Sequence, residues 1–200
     1  MAVPDHHLEP LCVRFVNTVD WRDDPVRRAD SLHEYADLLH WARDAGIVSH
    51  AAAGKLAHEA GRRTASAQAA FARALVVREA LVSVLAAAVE HRQPPAHALR
   101  RFNAALGEAG EHLRLAGGKG KFYLDWNSDD SFERLLWPAV RSAADLVTSD
   151  QVERLRRCEG QGCGWFFMDT TRNRSRRWCN MAVCGNRSKV KRFYERHKNQ

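Results

Sequence analysis

The sequence predicts a mainly α-helical protein with a small β-hairpin, ending in a zinc finger of treble-clef-like plan. Three observations carry that prediction. Apolar residues recur at helical spacing through most of positions 1–150, and one glycine-rich stretch switches to strand-like alternation. Four of the five cysteines then fall between positions 158 and 184, in two pairs of equal spacing. The expected division is a helical domain over 1–150 and a zinc-binding, nucleic-acid-binding module over 151–200.

In "DSLHEYADLLHWARDAG", Ser31 and Glu34 have the spacing of a capping box, in which each side chain satisfies a free backbone donor. Leu32, Tyr35, Leu39 and Ala42 follow at helical intervals, and Gly46 suits a left-handed stop. A second helix is predicted through "AAFARALVVREALVSVLAAAVEHR", with Leu75, Val82, Leu85 and Val89 on one stripe and Pro94-Pro95 as terminator. "ALRRFNAALGEAG" reads as a shorter amphipathic helix. In "HLRLAGGKGKFYLDW", Leu113 and Leu115 alternate with polar residues, as do Phe122, Leu124 and Trp126, around a glycine-rich turn. Helix returns over 131–148, with a kink or restart expected at Trp137-Pro138. Cys12, flanked by apolar residues, is expected to be a buried structural cysteine, and His6 and His7 to be solvated.

Several classes are excluded. The longest apolar run is too short to span a bilayer, and the N-terminus lacks the basic and apolar regions of a secretory signal. A cytoplasmic location is therefore expected, where thiols stay reduced and spaced cysteines point to metal rather than disulfides. No His-Glu-x-x-His, phosphate-binding glycine loop or nucleophile elbow occurs.

Cys158 and Cys163 enclose four residues, Cys179 and Cys184 enclose four more, and 15 residues separate the pairs. Two short turns that each present two thiolates supply the tetrahedral ligand set of one structural Zn²⁺. Gly160, Gly162 and Gly164 let the first turn curl around the ion, "GWFFMD" reads as a short strand, and a helix opens near Cys184. Four thiolates leave no open coordination position, so no enzymatic activity is expected.

Charge is distributed unevenly. Residues 151–200 hold 13 Lys/Arg against 4 Asp/Glu, whereas residues 1–150 hold 18 against 20. A near-neutral body with a strongly basic end points to a polyanion partner. The candidate nucleic-acid contacts are Arg172, Arg174, Arg176 and Arg177 in the loop before Cys179, with Arg187, Lys189, Lys191, Arg192 and Arg196 on the helix, while Val190 and Phe193 are expected to pack inward. Asn186 suits a base contact or, preferably, a helix cap. DNA is favoured, and zinc-dependent RNA binding is the alternative. Trp165 and Trp178 are expected beside the metal rather than as stacking platforms.

"CGNR" at 184–187, preceded by "RRWC" and by the first cysteine pair, resembles the CGNR zinc-finger family of bacterial proteins. "FVNTVDWR" at 15–22, "DSLHEYADLLHWARDAGIV" and "RSAADLVTS" resemble the ABATE domain that precedes that finger. The resemblance implies a stress-linked transcription regulator whose finger binds DNA and whose larger domain senses a small-molecule effector. Asn17, Asp20, Trp21 and Arg22 are then candidates for the effector pocket. Their alternative roles are capping for Asn17 and Asp20 and core packing for Trp21. A single finger would read a short site, which makes a homodimer formed through the helical body a further expectation.

Overall fold

In the computed structural model, residues 9–127 and 131–198 are described, and His6 and His7 lie outside them. The first helix, α1 (Leu11–Val16), is followed by a two-residue antiparallel pair, β1 (Val19–Asp20) with β2 (Ala29–Asp30). Four helices follow: α2 (Tyr35–Asp44), α3 (His50–Arg62), α4 (Thr64–Val89) and α5 (Ala96–His112). The hairpin β3 (Leu113–Gly118) and β4 (Lys121–Trp126) leads through a 3₁₀ turn to α6 (Trp137–Val147). The C-terminal part consists of β5 (Leu155–Arg157), β6 (Phe166–Met168), a π turn at Met181–Gly185 and α7 (Asn186–Lys198).

Helix α4 is the centre of the body. Its 26 residues reach about 39 Å at 1.5 Å per residue, long enough to touch α1, α2, α3, α5 and α6. Because neighbours surround it, it buries more than one face, through Ala67, Ala70, Ala74, Val77, Leu81, Val84 and Leu85. Alanines at this spacing let the flanking helices approach closely. The expected stripe of Leu75, Val82, Leu85 and Val89 is thus only partly central: Leu85 is buried, and the other three pack half-buried at the margin.

The capping box also sits elsewhere than expected. Glu34 and Asp37 form it, and α2 begins at Tyr35. The Ser31 hydroxyl instead donates to the Thr18 carbonyl at 2.9 Å and ties the start of the segment to the β1 end. Leu32, Tyr35, Leu39 and Ala42 are all buried, and Gly46 stops the segment at φ +76°. Cys12 is fully buried, and burial pushes its thiol up to about 11.

The expected hairpin is present, with Leu113 opposite Trp126 and Gly118 opposite Lys121. Lys119 and Gly120 both have positive φ, 53° and 78°, as a two-residue type I′ turn requires. The restart at Trp137-Pro138 is also present: a 3₁₀ turn at Phe132–Leu135 ends before α6, which has its proline in the first turn.

A buried polar network fixes the segment between α1 and α2. Arg78, on α4, donates to both carboxylate oxygens of Asp30 (2.8 and 2.5 Å) and to the Thr18 hydroxyl (2.8 Å). Arg22 pairs with Glu79 at 2.6 Å and donates to the Val16 carbonyl at 2.8 Å. Burial alone would raise the Asp30 pKa, but the Arg78 hydrogen bonds, the Leu32 N–H and the positive charges of Arg78 and Arg28 together outweigh it and hold the carboxyl below its ordinary range.

Candidate metal centre and nucleic-acid interface

Strands β5 and β6 pair antiparallel, with Leu155 opposite Met168 and Arg157 opposite Phe166. Side chains alternate across them as strand geometry demands. Leu155, Phe166 and Met168 join the core of the body, whereas Phe167 faces the four cysteines together with half-buried Trp165 and Trp178. The knuckle holding Cys158 and Cys163 is the turn between these strands. The hairpin therefore encloses the first ligand pair, and its second strand lies in "GWFFMD", where the sequence predicts a short strand.

Each cysteine is held by local backbone geometry. The Cys163 N–H donates to the Gly160 carbonyl at 2.9 Å and closes the knuckle. Gly162 and Gly164 have φ of +74° and +70°, and a Cβ on either would lie 2.8 Å from the Cβ of Asp24 or Arg22, respectively. These glycines are required by approach to the body as well as by the turn. At the second pair, Asn180 caps the turn: its side-chain oxygen accepts from the N–H groups of Ala182 (2.8 Å) and Val183 (3.2 Å). Asn186, expected as a cap or base contact, is the exposed first residue of α7, so the capping role belongs to Asn180.

The sulfur atoms of Cys158, Cys163, Cys179 and Cys184 all lie within 4.8 Å of one another, and all four residues are buried. Cys179 Sγ is 3.7 Å from both Cys163 Sγ and Cys184 Sγ. A tetrahedral Zn²⁺ with Zn–S bonds of about 2.3 Å sets sulfur–sulfur edges of about 3.8 Å, so the cluster has the size the ion needs. The thiols by themselves favour one ionised member. Hydrogen bonds from the Cys163 and Cys179 sulfhydryls, joined by backbone N–H groups, lower the Cys158 pKa. The same bonds raise those of the two donors. Further ionisation in this buried space requires a cation, and a Zn²⁺ ion supplies that charge. The N–H groups of Gly160 and Cys179 at 3.4 Å from Cys158 Sγ, and Arg187 Nη2 at 3.5 Å from Cys184 Sγ, complete an outer shell of donors suited to thiolates.

The finger is seated on the body through the segment that holds the candidate effector residues Asn17, Asp20, Trp21 and Arg22. The Asn17 side chain donates to the Phe166 carbonyl at 2.8 Å and accepts from the Phe166 N–H at 3.0 Å, adding itself to the edge of β6. The Arg22 N–H donates to the Cys163 carbonyl at 3.1 Å, while its guanidinium is held inside the body. Asp20 sits on β1 opposite Ala29. The Trp21 ring is sandwiched between two guanidinium groups, Arg27 at 3.7 Å and Arg187 at 4.0 Å from its centroid. Asp23 accepts two bonds from Arg157 at 2.7 and 2.8 Å, and the Trp165 indole donates to the Val19 carbonyl at 3.0 Å.

The basic residues divide by environment. Arg176 is half-buried, lies over Phe167, and donates to the carbonyls of Trp178 and Cys179, which gives it a structural role in the finger. Arg174 pairs with Glu153 and Arg177 with Glu159, both at 2.6 Å. Arg187 bridges Cys184 and Trp21, and Lys191 reaches Gln161 across the knuckle. Arg172, Lys189, Arg192 and Arg196 are exposed. Val190 and Phe193, expected to pack inward, are exposed as well, because α7 extends from the metal turn without burying any residue.

Two contributors went unnoticed in the sequence. Asp169 is fully buried and accepts from the N–H groups of Thr171 and Arg176, at 2.9 and 2.8 Å, organising the loop into the second cysteine pair. The Asp-x-Thr spacing of an Asx turn was its available signal. Arg157 and its partner Asp23 lie 134 positions apart, and no local pattern joins them.

A four-cysteine finger clasped to a helical body defines the class of protein. Residues 9–150 match the ABATE family, described as "Putative stress-induced transcription regulator", and residues 154–197 match the CGNR zinc finger. The chain belongs to the ABATE family and carries a CGNR zinc finger at its C-terminal end. No match was found among the curated proteins. No helix among the described residues is long and apolar enough to cross a membrane.

Proposed function

We propose that the chain is a zinc-finger transcription regulator that binds DNA through its C-terminal end, with Zn²⁺ in a structural role and no catalytic one. The observation that carries this reading is the placement of α7. The second cysteine pair forms its entry turn, and the helix displays six Lys/Arg against one glutamate with none of its residues buried. Folding a helix this basic onto a fixed platform concentrates positive charge where a polyanion can meet it. Family membership supports the regulatory class.

Arg172, Lys189, Arg192 and Arg196 are the foremost contacts in this reading, since their guanidinium and ammonium groups face solvent. Arg176 and Arg187 act instead by holding the finger's shape and its seat on the body. The same seat takes up Asn17, Trp21 and Arg22, so an effector would act on this junction rather than fill it. Fluorescence anisotropy of zinc-loaded protein with genomic duplex fragments tests the function. Affinity should fall steeply as salt rises, because each neutralised phosphate releases counterions. Failure to bind duplex at low salt would overturn the reading.

A further inference from the structure

Helix α7 carries more than positive charge. Val190, Phe193 and Tyr194 occupy positions i, i+3 and i+4 and form one stripe, with His197 continuing it at i+7. These three apolar residues are 54, 51 and 68 % exposed, although a basic helix needs none of them for solubility. At 3.6 residues per turn, Lys189, Arg192 and Arg196 run along one side of the stripe, and Lys191 and Lys198 along the other. Contiguous exposed apolar surface with a polar rim marks a binding face.

The flanking charges decide what covers it. A second copy of α7 would bring two like-charged rims together, and the stripe spans fewer heptads than a stable coiled coil needs. A polyanion with two separate rows of charge fits both rims at once. Stacking on unpaired bases is disfavoured because the Phe193 ring already lies against His197, with centroids 4.1 Å apart, and meets Tyr194 edge-on. A helix of about 10–12 Å diameter matches the B-DNA major groove of about 12 Å, whereas the deep, narrow major groove of A-form RNA does not admit it.

Resting on the DNA-binding reading above, we propose that α7 enters the major groove with the Val190–Phe193–Tyr194 stripe against the base edges, reading thymine C5-methyl groups, while its two basic rows contact the phosphates of opposite strands. Thymine presents the one apolar group on the groove floor, and apolar side chains are its natural partners.

The test uses the zinc-loaded full chain and a duplex that it selects from a random-sequence library. Replacing thymines of that duplex with deoxyuridine removes only methyl groups. Wild-type affinity should fall about threefold to fourfold per contacted thymine, the transfer value of one buried methyl group. Phe193→Ala and Tyr194→Ala should bind the thymine duplex at least about tenfold more weakly, as expected when a few central side chains dominate an interface. They should distinguish it from the deoxyuridine duplex less than wild type does, and the double variant carrying both substitutions should distinguish it least. Their zinc content should stay stoichiometric, since neither side chain is buried. Lys189→Ala and Lys191→Ala should each reduce the salt slope by about one, equally on all sequences. Wild-type affinity indifferent to deoxyuridine would overturn the proposal, as would single strands competing as well as duplex. So would a stripe variant that loses a dimer or anionic-vesicle binding while keeping its DNA affinity. If wild type binds no duplex at low salt, the DNA reading falls and this inference with it. Duplex binding that the stripe variants leave unchanged overturns this inference alone.

Discussion

The body and the finger are held together by different physics, and the seam between them is not where the metal is. The body buries a continuous apolar core contributed by α1 through α6. The finger's own buried set is four cysteines and Phe167. Yet Leu155, Phe166 and Met168, on the strands that flank the knuckle, belong to the core of the body. The finger therefore has two parts. Its hairpin is an extension of the body's packing, and the portion left to the ion is the knuckle turn together with the second cysteine pair and α7.

The largest expected effect breaks that comparison at the metal. Cys179→Ser removes the sulfur lying 3.7 Å from both Cys163 Sγ and Cys184 Sγ. Zinc binding is worth about 10–16 kcal/mol in finger-sized sites, far more than a region with so small a core can replace. The variant should lose stoichiometric zinc and the circular dichroism of α7, while the thermal transition of the body persists. Retention of zinc would show that the ligand set is wrong. Loss of the body's transition would show that the two regions fold as one.

Two adjacent residues sharpen the same division. Phe166→Ala should destabilise the body by about 3–5 kcal/mol in denaturant unfolding, the cost of emptying an aromatic site in a packed core. Phe167→Ala, one position along and on the opposite face, should lower zinc affinity and leave the unfolding midpoint of the body nearly unchanged. Equal effects of the two substitutions on the body would erase the distinction between the faces of β6.

Acidification should take the regions apart in order. Zinc binding requires thiolates, whose ordinary pKa is about 8.5, so protons compete for the finger first. In the body, Asp30 is the carboxyl held by buried Arg78, and its folded pKa lies below its unfolded value of about 3.9 because Arg78, the Leu32 N–H and Arg28 together outweigh its burial. A depressed carboxyl pKa contributes stability that is complete above the unfolded value and is lost as pH falls through the folded one. Zinc release should thus precede the acid transition of the body. Asp30→Ala should cost the body about 3 kcal/mol at neutral pH, because buried Arg78 loses its main partner, and should flatten the acid limb of its stability profile.

How much of this was readable in advance follows from how local each determinant is. The cysteine spacing, the hairpin turn at Lys119-Gly120 and the stop at Gly46 are set by a few adjacent residues, and each appears where the sequence placed it. The burial of Val190 and Phe193 was misjudged because amphipathic spacing shows that a face exists without showing what covers it. The arginines at 172–177 look alike in sequence, but Arg176 is drawn inside by three carbonyls whose positions depend on the folded loop. The docking role of Asn17, Trp21 and Arg22 was invisible for the same reason: Asn17 meets Phe166 at a separation of 149 residues.

The smallest expected effect lies at the seat itself and separates two contributions at Trp21. Its ring is held between Arg27 and Arg187, and each cation–π contact is worth about 0.5–1 kcal/mol at a partly solvated site. Its backbone is in the left-handed region at φ 52°, which costs a non-glycine residue on the order of 1 kcal/mol. Trp21→Ala removes the ring and keeps the strained backbone, while Trp21→Gly removes the ring and relaxes the strain. Amide hydrogen exchange at Cys163 and Trp165 should therefore accelerate more in the alanine variant than in the glycine variant, with zinc stoichiometric in both. The bonds from Asn17 to Phe166 and from Arg157 to Asp23 remain in either case, so the finger should loosen rather than detach. Unchanged exchange in both variants would mean that the stacked guanidiniums contribute nothing to seating the finger, leaving Arg187 to act through Cys184 alone.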